Sequence, residues 1–74
     1  MITYTLVFEH NYLPAVRITI DVKSRLEFAE VAEDATTLIE LGDDFIEGAD
    51  LDVRDYSLIE VRFRGYVVAK FDAV

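Results

Sequence analysis

The 74-residue chain predicts an α+β single domain of order β-β-α-β-β, a four-stranded antiparallel sheet with one helix packed on one face. Three observations lead there. Stretches near both ends alternate apolar and polar residues with period two, the signature of half-buried strands. The stretch between them carries apolar residues at helical spacing behind a capping sequence. An apolar fraction of 53%, with four tyrosines and five phenylalanines, supplies a core for a chain near the lower size limit of independent folding.

The first hairpin covers residues 2–22. Ile2, Tyr4, Leu6 and Phe8 alternate with Thr3, Thr5, Val7 and Glu9, and Val16, Ile18, Ile20 and Val22 alternate with Ala15, Arg17, Thr19 and Asp21. His10 to Pro14 connects them, with Asn11 and Pro14 as turn formers. Setting Phe8 opposite Val16 aligns Leu6 with Ile18, Tyr4 with Ile20 and Ile2 with Val22. A slip of one residue would send each of these to the wrong face.

Ser24 and Glu27 read as a capping box opening a helix over residues 25–41, with Gly42 as its left-handed cap. On a helical wheel Phe28, Val31, Ala32, Ala35, Leu38 and Ile39 share the inner arc, and Glu27, Glu30, Glu33, Asp34 and Glu40 share the outer one. Leu26 and Leu41 fall toward the acidic side. Residues 43–56 have no clear period and read as an acidic loop, with Phe45 and Ile46 available to anchor it. So long a loop in so small a domain points to function or mobility.

A closing hairpin spans residues 58–72, with Ile59, Val61 and Phe63 on one strand and Val67 to Phe71 on the other. The cleaner apolar face pairs Phe63 with Val67, Val61 with Ala69 and Ile59 with Phe71, with Glu60 opposite Lys70. A two-residue turn at Arg64-Gly65 would instead pair Phe63 with Tyr66 and Val61 with Val68. Pairing the third strand with the first gives the order 2-1-3-4. The outer sheet face would then carry Thr3, Thr5, Val7, Arg17, Thr19, Leu58, Arg62 and Val68, a half-apolar surface that is either a homodimer contact or simply solvated.

Charge is distributed unevenly. Of fifteen acids, eleven lie between Glu27 and Asp55 (Glu27, Glu30, Glu33, Asp34, Glu40, Asp43, Asp44, Glu47, Asp50, Asp52 and Asp55), where Arg54 is the one base. The other four acids are outnumbered by six bases, so the formal charge of −8 belongs to one region. Such a charge repels nucleic acid and anionic lipid, which predicts no direct nucleic-acid binding and no membrane association. No apolar run reaches the length of a membrane span, and the start of the chain lacks the pattern of a signal peptide. The expected location is the cytoplasm, that of the host if the chain is phage-encoded.

Enzymatic chemistry and cofactors are not expected. There is no cysteine, Ser24 serves as a cap, the single His10 reads as a solvated turn residue, and the three glycines are each isolated. Asp50-x-Asp52-x-x-Asp55 resembles the start of a calcium loop loosely, but Arg54 and Asp55 stand where that loop needs an oxygen ligand and a glycine. No metal site is predicted.

The acids on the helix form an unusual wall. Exposed helices normally intersperse lysine with glutamate, whereas this one has no base after Arg25 and sets Glu30 against Asp34 four residues on. Glu40 stands in the last predicted turn, where the helix dipole favours cations. The charge density along the helix approaches that of one DNA strand. In size, lack of cysteine and concentrated acidity the chain resembles the small acidic phage-encoded inhibitors, the anti-CRISPR and anti-restriction proteins. The resemblance is one of type and carries no residue roles. It implies a non-enzymatic inhibitor whose eleven carboxylates bind a basic nucleic-acid-binding protein or complex. A structural or adaptor module that homodimerises through its sheet is the alternative.

Overall fold

Strand β1 (Ile2–His10) runs through the middle of the sheet, between β2 (Arg17–Ser24) and β3 (Tyr56–Phe63). β4 (Tyr66–Lys70) pairs with β3, so the order is β2-β1-β3-β4 and every pairing is antiparallel. This computed structural model describes residues 1–71; Asp72, the expected end of the second hairpin, lies outside them. Helical structure between β2 and β3 covers one face. The α+β architecture and strand order are those the sequence predicts.

Alternation explains the core. Tyr4, Leu6 and Phe8 point from β1 toward the helices and are essentially inaccessible, as are Val31, Leu38, Ile46 and Val61. The first hairpin keeps these faces but shifts the expected register by two residues: Phe8 pairs with Ile18, Leu6 with Ile20 and Tyr4 with Val22. The cause lies at His10, which continues β1 instead of starting the turn. Its N–H donates to the Val16 carbonyl at 2.9 Å, and its Nδ1 accepts the N–H groups of Tyr12 and Leu13 at 3.1 Å each. The imidazole thus holds the loop backbone, and Val16 is left exposed beyond the apolar ladder.

The second hairpin combines the two expected registers. Arg64 (φ 49°) and Gly65 (φ 85°) both take left-handed conformations, as a two-residue hairpin turn requires, and Phe63 pairs with Tyr66. The ladder then shifts between Val61 and Arg62, so that Val61 meets Ala69 and Glu60 meets Lys70. Val68 is the extra residue of this bulge and packs against the core. A second irregularity, where β1 meets β3 at Val7 and Phe8, skips Ile59 and sets Leu58 opposite Phe8. Leu58 therefore belongs to the core. Both apolar residues expected in the second hairpin's share of the outer face are turned inward. That face carries instead the ion pairs Arg62–Glu60 (2.7 Å) and Arg17–Glu9 (3.6 Å) and the Thr5–Asp21 hydrogen bond (2.7 Å).

The helix predicted over residues 25–41 is two helices, α1 (Phe28–Glu33) and α2 (Thr36–Gly48). Ser24 still belongs to β2, and its hydroxyl accepts the Leu26 N–H at 3.1 Å. The capping box is Glu27 with Glu30, each side chain bonding the other's backbone N–H. At Asp34 the chain turns extended (φ −151°, ψ 107°), and its carboxylate accepts both the Thr36 N–H, at 2.9 Å, and the Thr36 hydroxyl. Asp34 therefore ends one helix and holds the first N–H of the next, just ahead of two β-branched threonines that are poor in a helix interior. α1 lies against β4 and α2 against β2.

Gly42 does not end a helix. It sits inside α2 where that helix meets the strand: a Cβ there would stand 2.6 Å from Phe8 Cε2 and closer still to Cζ. α2 continues through half of the predicted acidic loop and ends at Gly48, and a 3₁₀ turn (Val53–Asp55) leads into β3. Residues 43–56 are regular structure over most of their length, not an open loop. Ile46 is buried as expected, but Phe45 is exposed. Ala32 and Ile39 are exposed too, and Phe28 is half covered, its ring edge-on to Tyr4 and tilted against Phe63.

Candidate functional site

The acidic residues fall into three groups with different surroundings. The first is on and around α1. Glu27 and Glu30 spend part of their hydrogen-bonding capacity on the capping box, and Asp34 spends its own on Thr36. The bonds from Thr36 hold the Asp34 carboxyl below the usual aspartate range, so it stays charged. Glu30, Glu33 and Asp34 rim a shallow depression with Leu26 and Thr37, at the joint between the helices. Leu26 leans on the core, and its carbonyl accepts the buried Tyr4 hydroxyl at 2.6 Å.

The second group is on α2. Leu38, Gly42 and Ile46 face inward. At about 100° per residue, Glu40, Asp43, Asp44 and Glu47 then occupy an arc of roughly 100° centred on the opposite, solvent side. They are close enough to act on one another: partial burial, then Glu47, Asp44 and Glu40, push the Asp43 carboxyl above its ordinary pKa. Asp43 lies at the border of an open cleft of about 320 Å³, where Ile39, Val53, Tyr56 and Phe71 leave space beside the sheet. No basic residue stands in the last turn of α2 to offset these charges.

The third group is on the segment after α2. Asp50 has φ 64° and turns the chain. Asp52 caps the 3₁₀ turn through the Arg54 N–H (2.9 Å) and binds the Arg54 guanidinium through both oxygens (3.1 and 2.9 Å). That pair lowers the Asp52 pKa and raises that of Arg54. Of the eleven predicted partner-binding carboxylates, Asp52 is the one with a salt-bridge partner among the described residues. It adds little to an anionic surface. Asp55 is half-buried, and its carbonyl receives the Asn11 N–H at 2.7 Å.

The structure therefore gathers Glu40, Asp43, Asp44 and Glu47 on one helix face, sets Glu27, Glu30, Glu33 and Asp34 at the joint before it, and withdraws Asp52. From Glu40 to Glu47 the helix rises about 10.5 Å at ~1.5 Å per residue, an average of about 3.5 Å per charge along the axis in steps of about 4.5, 1.5 and 4.5 Å. One DNA strand rises ~3.4 Å along its axis per phosphate. Beside this row lie exposed Leu41 and Phe45, four residues apart on one flank of α2.

Two residues carry more of the structure than the sequence suggested. Asn11 donates to the Arg54 carbonyl (2.9 Å) and accepts the Ser57 hydroxyl (2.6 Å), clamping the first loop to the 3₁₀ turn and engaging one of the chain's serines. His10 stands edge-on to Tyr56 and Tyr12, with ring centroids 5.2 and 5.9 Å away. Both bonds span the chain from a turn to a distant segment, so no local pattern announces them. Among the described residues no group of three or more histidine or acidic side chains is placed to hold a metal ion. Nor, among those residues, is any helix long and apolar enough to cross a membrane.

The fold and this surface define a small α+β protein with an acidic helical face. Comparison with protein-family models, curated proteins and solved structures gives no match.

Proposed function

We propose that the protein is a non-enzymatic inhibitor that binds a basic nucleic-acid-binding protein or complex through its helical face, occupying a groove that otherwise holds nucleic acid. This is the mode of the anti-CRISPR and anti-restriction type. The observation that carries the reading is the row Glu40, Asp43, Asp44 and Glu47, on the solvent side of a regular helix, near phosphate spacing and with no cation paired to it among the described residues. Carboxylates fixed on a helix meet a basic groove with little ordering cost and steer the approach electrostatically. Leu41 and Phe45 add apolar area beside the charges, the kind of desolvated anchor that gives such a contact its residence time.

The test is capture from a host lysate with and without competing duplex DNA, using the wild type and a Glu40→Lys, Asp44→Lys, Glu47→Lys variant. These three side chains are exposed and take no part in capping, so the variant keeps its circular dichroism. The wild type retains nucleic-acid-binding proteins that DNA displaces, and the variant does not. Capture that survives charge reversal, or is indifferent to DNA, refutes the proposal.

A further inference from the structure

The two edges of the sheet are unlike. β4 is five residues long and bulged, which is how sheets blunt an edge against pairing, whereas β2 pairs with β1 over eight residues without irregularity. Backbone direction along β2 follows from two hydrogen bonds at the end of β1. The His10 N–H points to β2 (Val16 carbonyl, 2.9 Å) and the Asn11 N–H points toward β3 (Asp55 carbonyl, 2.7 Å). By strand alternation, Ile18, Ile20 and Val22 turn their backbone groups to β1, while Arg17, Thr19, Asp21 and Lys23 turn theirs to the open edge. Among the described residues no other element bonds those four.

We propose that a second copy of the chain docks along this edge, antiparallel and two-fold about Thr19, so that the two sheets become one. The sequence of β2 selects that register. Centred on Thr19, Arg17 faces Asp21 of the second copy on the outer face, and the symmetry repeats the pair. Moved by one step along the open edge in one direction, Arg17 faces Lys23; moved by two, Asp21 faces Asp21. Only the Thr19-centred register of these three sets opposite charges together. On the inner face it sets Val16 against Val22 and Ile18 against Ile20, covering an exposed valine and two half-buried side chains. Asp21 keeps one oxygen for this contact, because Thr5 engages only Oδ1.

α2 lies above β2 with Ile39 and Asp43 toward β3, so exposed Leu41 and Phe45 stand on the flank nearer the open edge, where the second copy's helix arrives. The two acidic helices then share one side of the joined sheet. Each chain carries −8, and this mutual repulsion weakens the pairing at low salt. Added salt therefore strengthens self-association, the opposite of its effect on binding a cationic partner.

The experiment is sedimentation velocity on the full chain at concentrations up to about 1 mM, in ~50 and ~500 mM salt. The wild type dimerises, more strongly at high salt. Arg17→Asp or Asp21→Arg alone weakens the dimer at least about tenfold, and the two together restore it. Thr19→Pro removes a donor from the open edge and leaves a monomer; circular dichroism checks each fold. A wild type monomeric throughout, or a double variant no stronger than either single one, overturns the proposal. The Glu40, Asp44 and Glu47 reversal keeps this dimer and strengthens it at low salt, because it removes most of the repulsion between the chains, so the inference stands or falls separately from the inhibitor reading.

Discussion

Gly42 and Gly48 lie in the same helix and invite the same substitution, with opposite consequences. At Gly48 an added Cβ meets nothing within 4 Å. Alanine there gains helix propensity and reduces the freedom of the unfolded chain, worth about 0.4–1 kcal/mol. At Gly42 the same methyl comes 2.6 Å from Phe8 Cε2, some 0.8 Å inside the 3.4 Å limit of ordinary contact. Phe8 is 1% exposed, so relief requires its ring to tilt toward the cleft it borders or the helix to lift off the strand. A deficit of that size belongs at the upper end of overpacking penalties, about 3 kcal/mol. Propensity returns about 1 kcal/mol, leaving a net loss of about 2 kcal/mol. For a domain this small each kcal/mol moves the Tm by about 4–8 °C, so Gly42→Ala melts roughly 10 °C below wild type and Gly48→Ala a few degrees above it. Thermal and urea unfolding followed by circular dichroism measure both. Phe8→Leu supplies the control: shortening the ring relieves the clash, so the two changes couple by at least about 1 kcal/mol in a double-mutant cycle. If Gly42→Ala melts at or above wild type, the close approach of α2 to β1 is not what the glycine serves.

Asp43→Asn tests the crowding on α2. Burial and three neighbouring carboxylates raise the Asp43 pKa, so folding favours its neutral form and stability rises as pH falls through that raised value. The asparagine variant therefore melts above wild type at pH 7, and its advantage shrinks toward pH 4; an advantage independent of pH would contradict the electrostatic account. Tyr4→Phe removes the 2.6 Å bond to the Leu26 carbonyl from a fully buried ring, at a cost of about 1–2 kcal/mol in urea unfolding. Burial, Glu27 and Glu30 raise the pKa of that hydroxyl, so wild type loses stability as pH climbs above 10 and the phenylalanine variant loses less.

The strands were legible because alternation is a local and repeated signal, and strand order followed from short connections. What escaped was set by contacts across the chain. The wheel that placed Gly42 after a helix could not know that Phe8 requires a residue without Cβ at that point of closest approach. The Ser24–Glu27 spacing imitates a capping box, but Glu27 and Glu30 form the real one because β2 holds Ser24 in the sheet. Asp34 illustrates the reverse: Asp-x-Thr is a local stop-and-start signal, readable in the sequence and outweighed there by the apolar period on either side. The acidic surface survived these changes in altered form. Its densest row lies on α2, three of its four carboxylates drawn from residues expected in a loop, while Asp52 is lost to Arg54.

The bulges that turn Leu58 and Val68 inward have a practical consequence. They leave the sheet with one face under the helices and one face largely polar, and in a chain without cysteine the polar face is a place for a single engineered thiol. Thr3 is exposed on that side of the central strand, away from the open edge of β2 and from α2. A probe or tether coupled at Thr3→Cys would hold every molecule by its back, with the acidic helices presented uniformly to whatever is offered them.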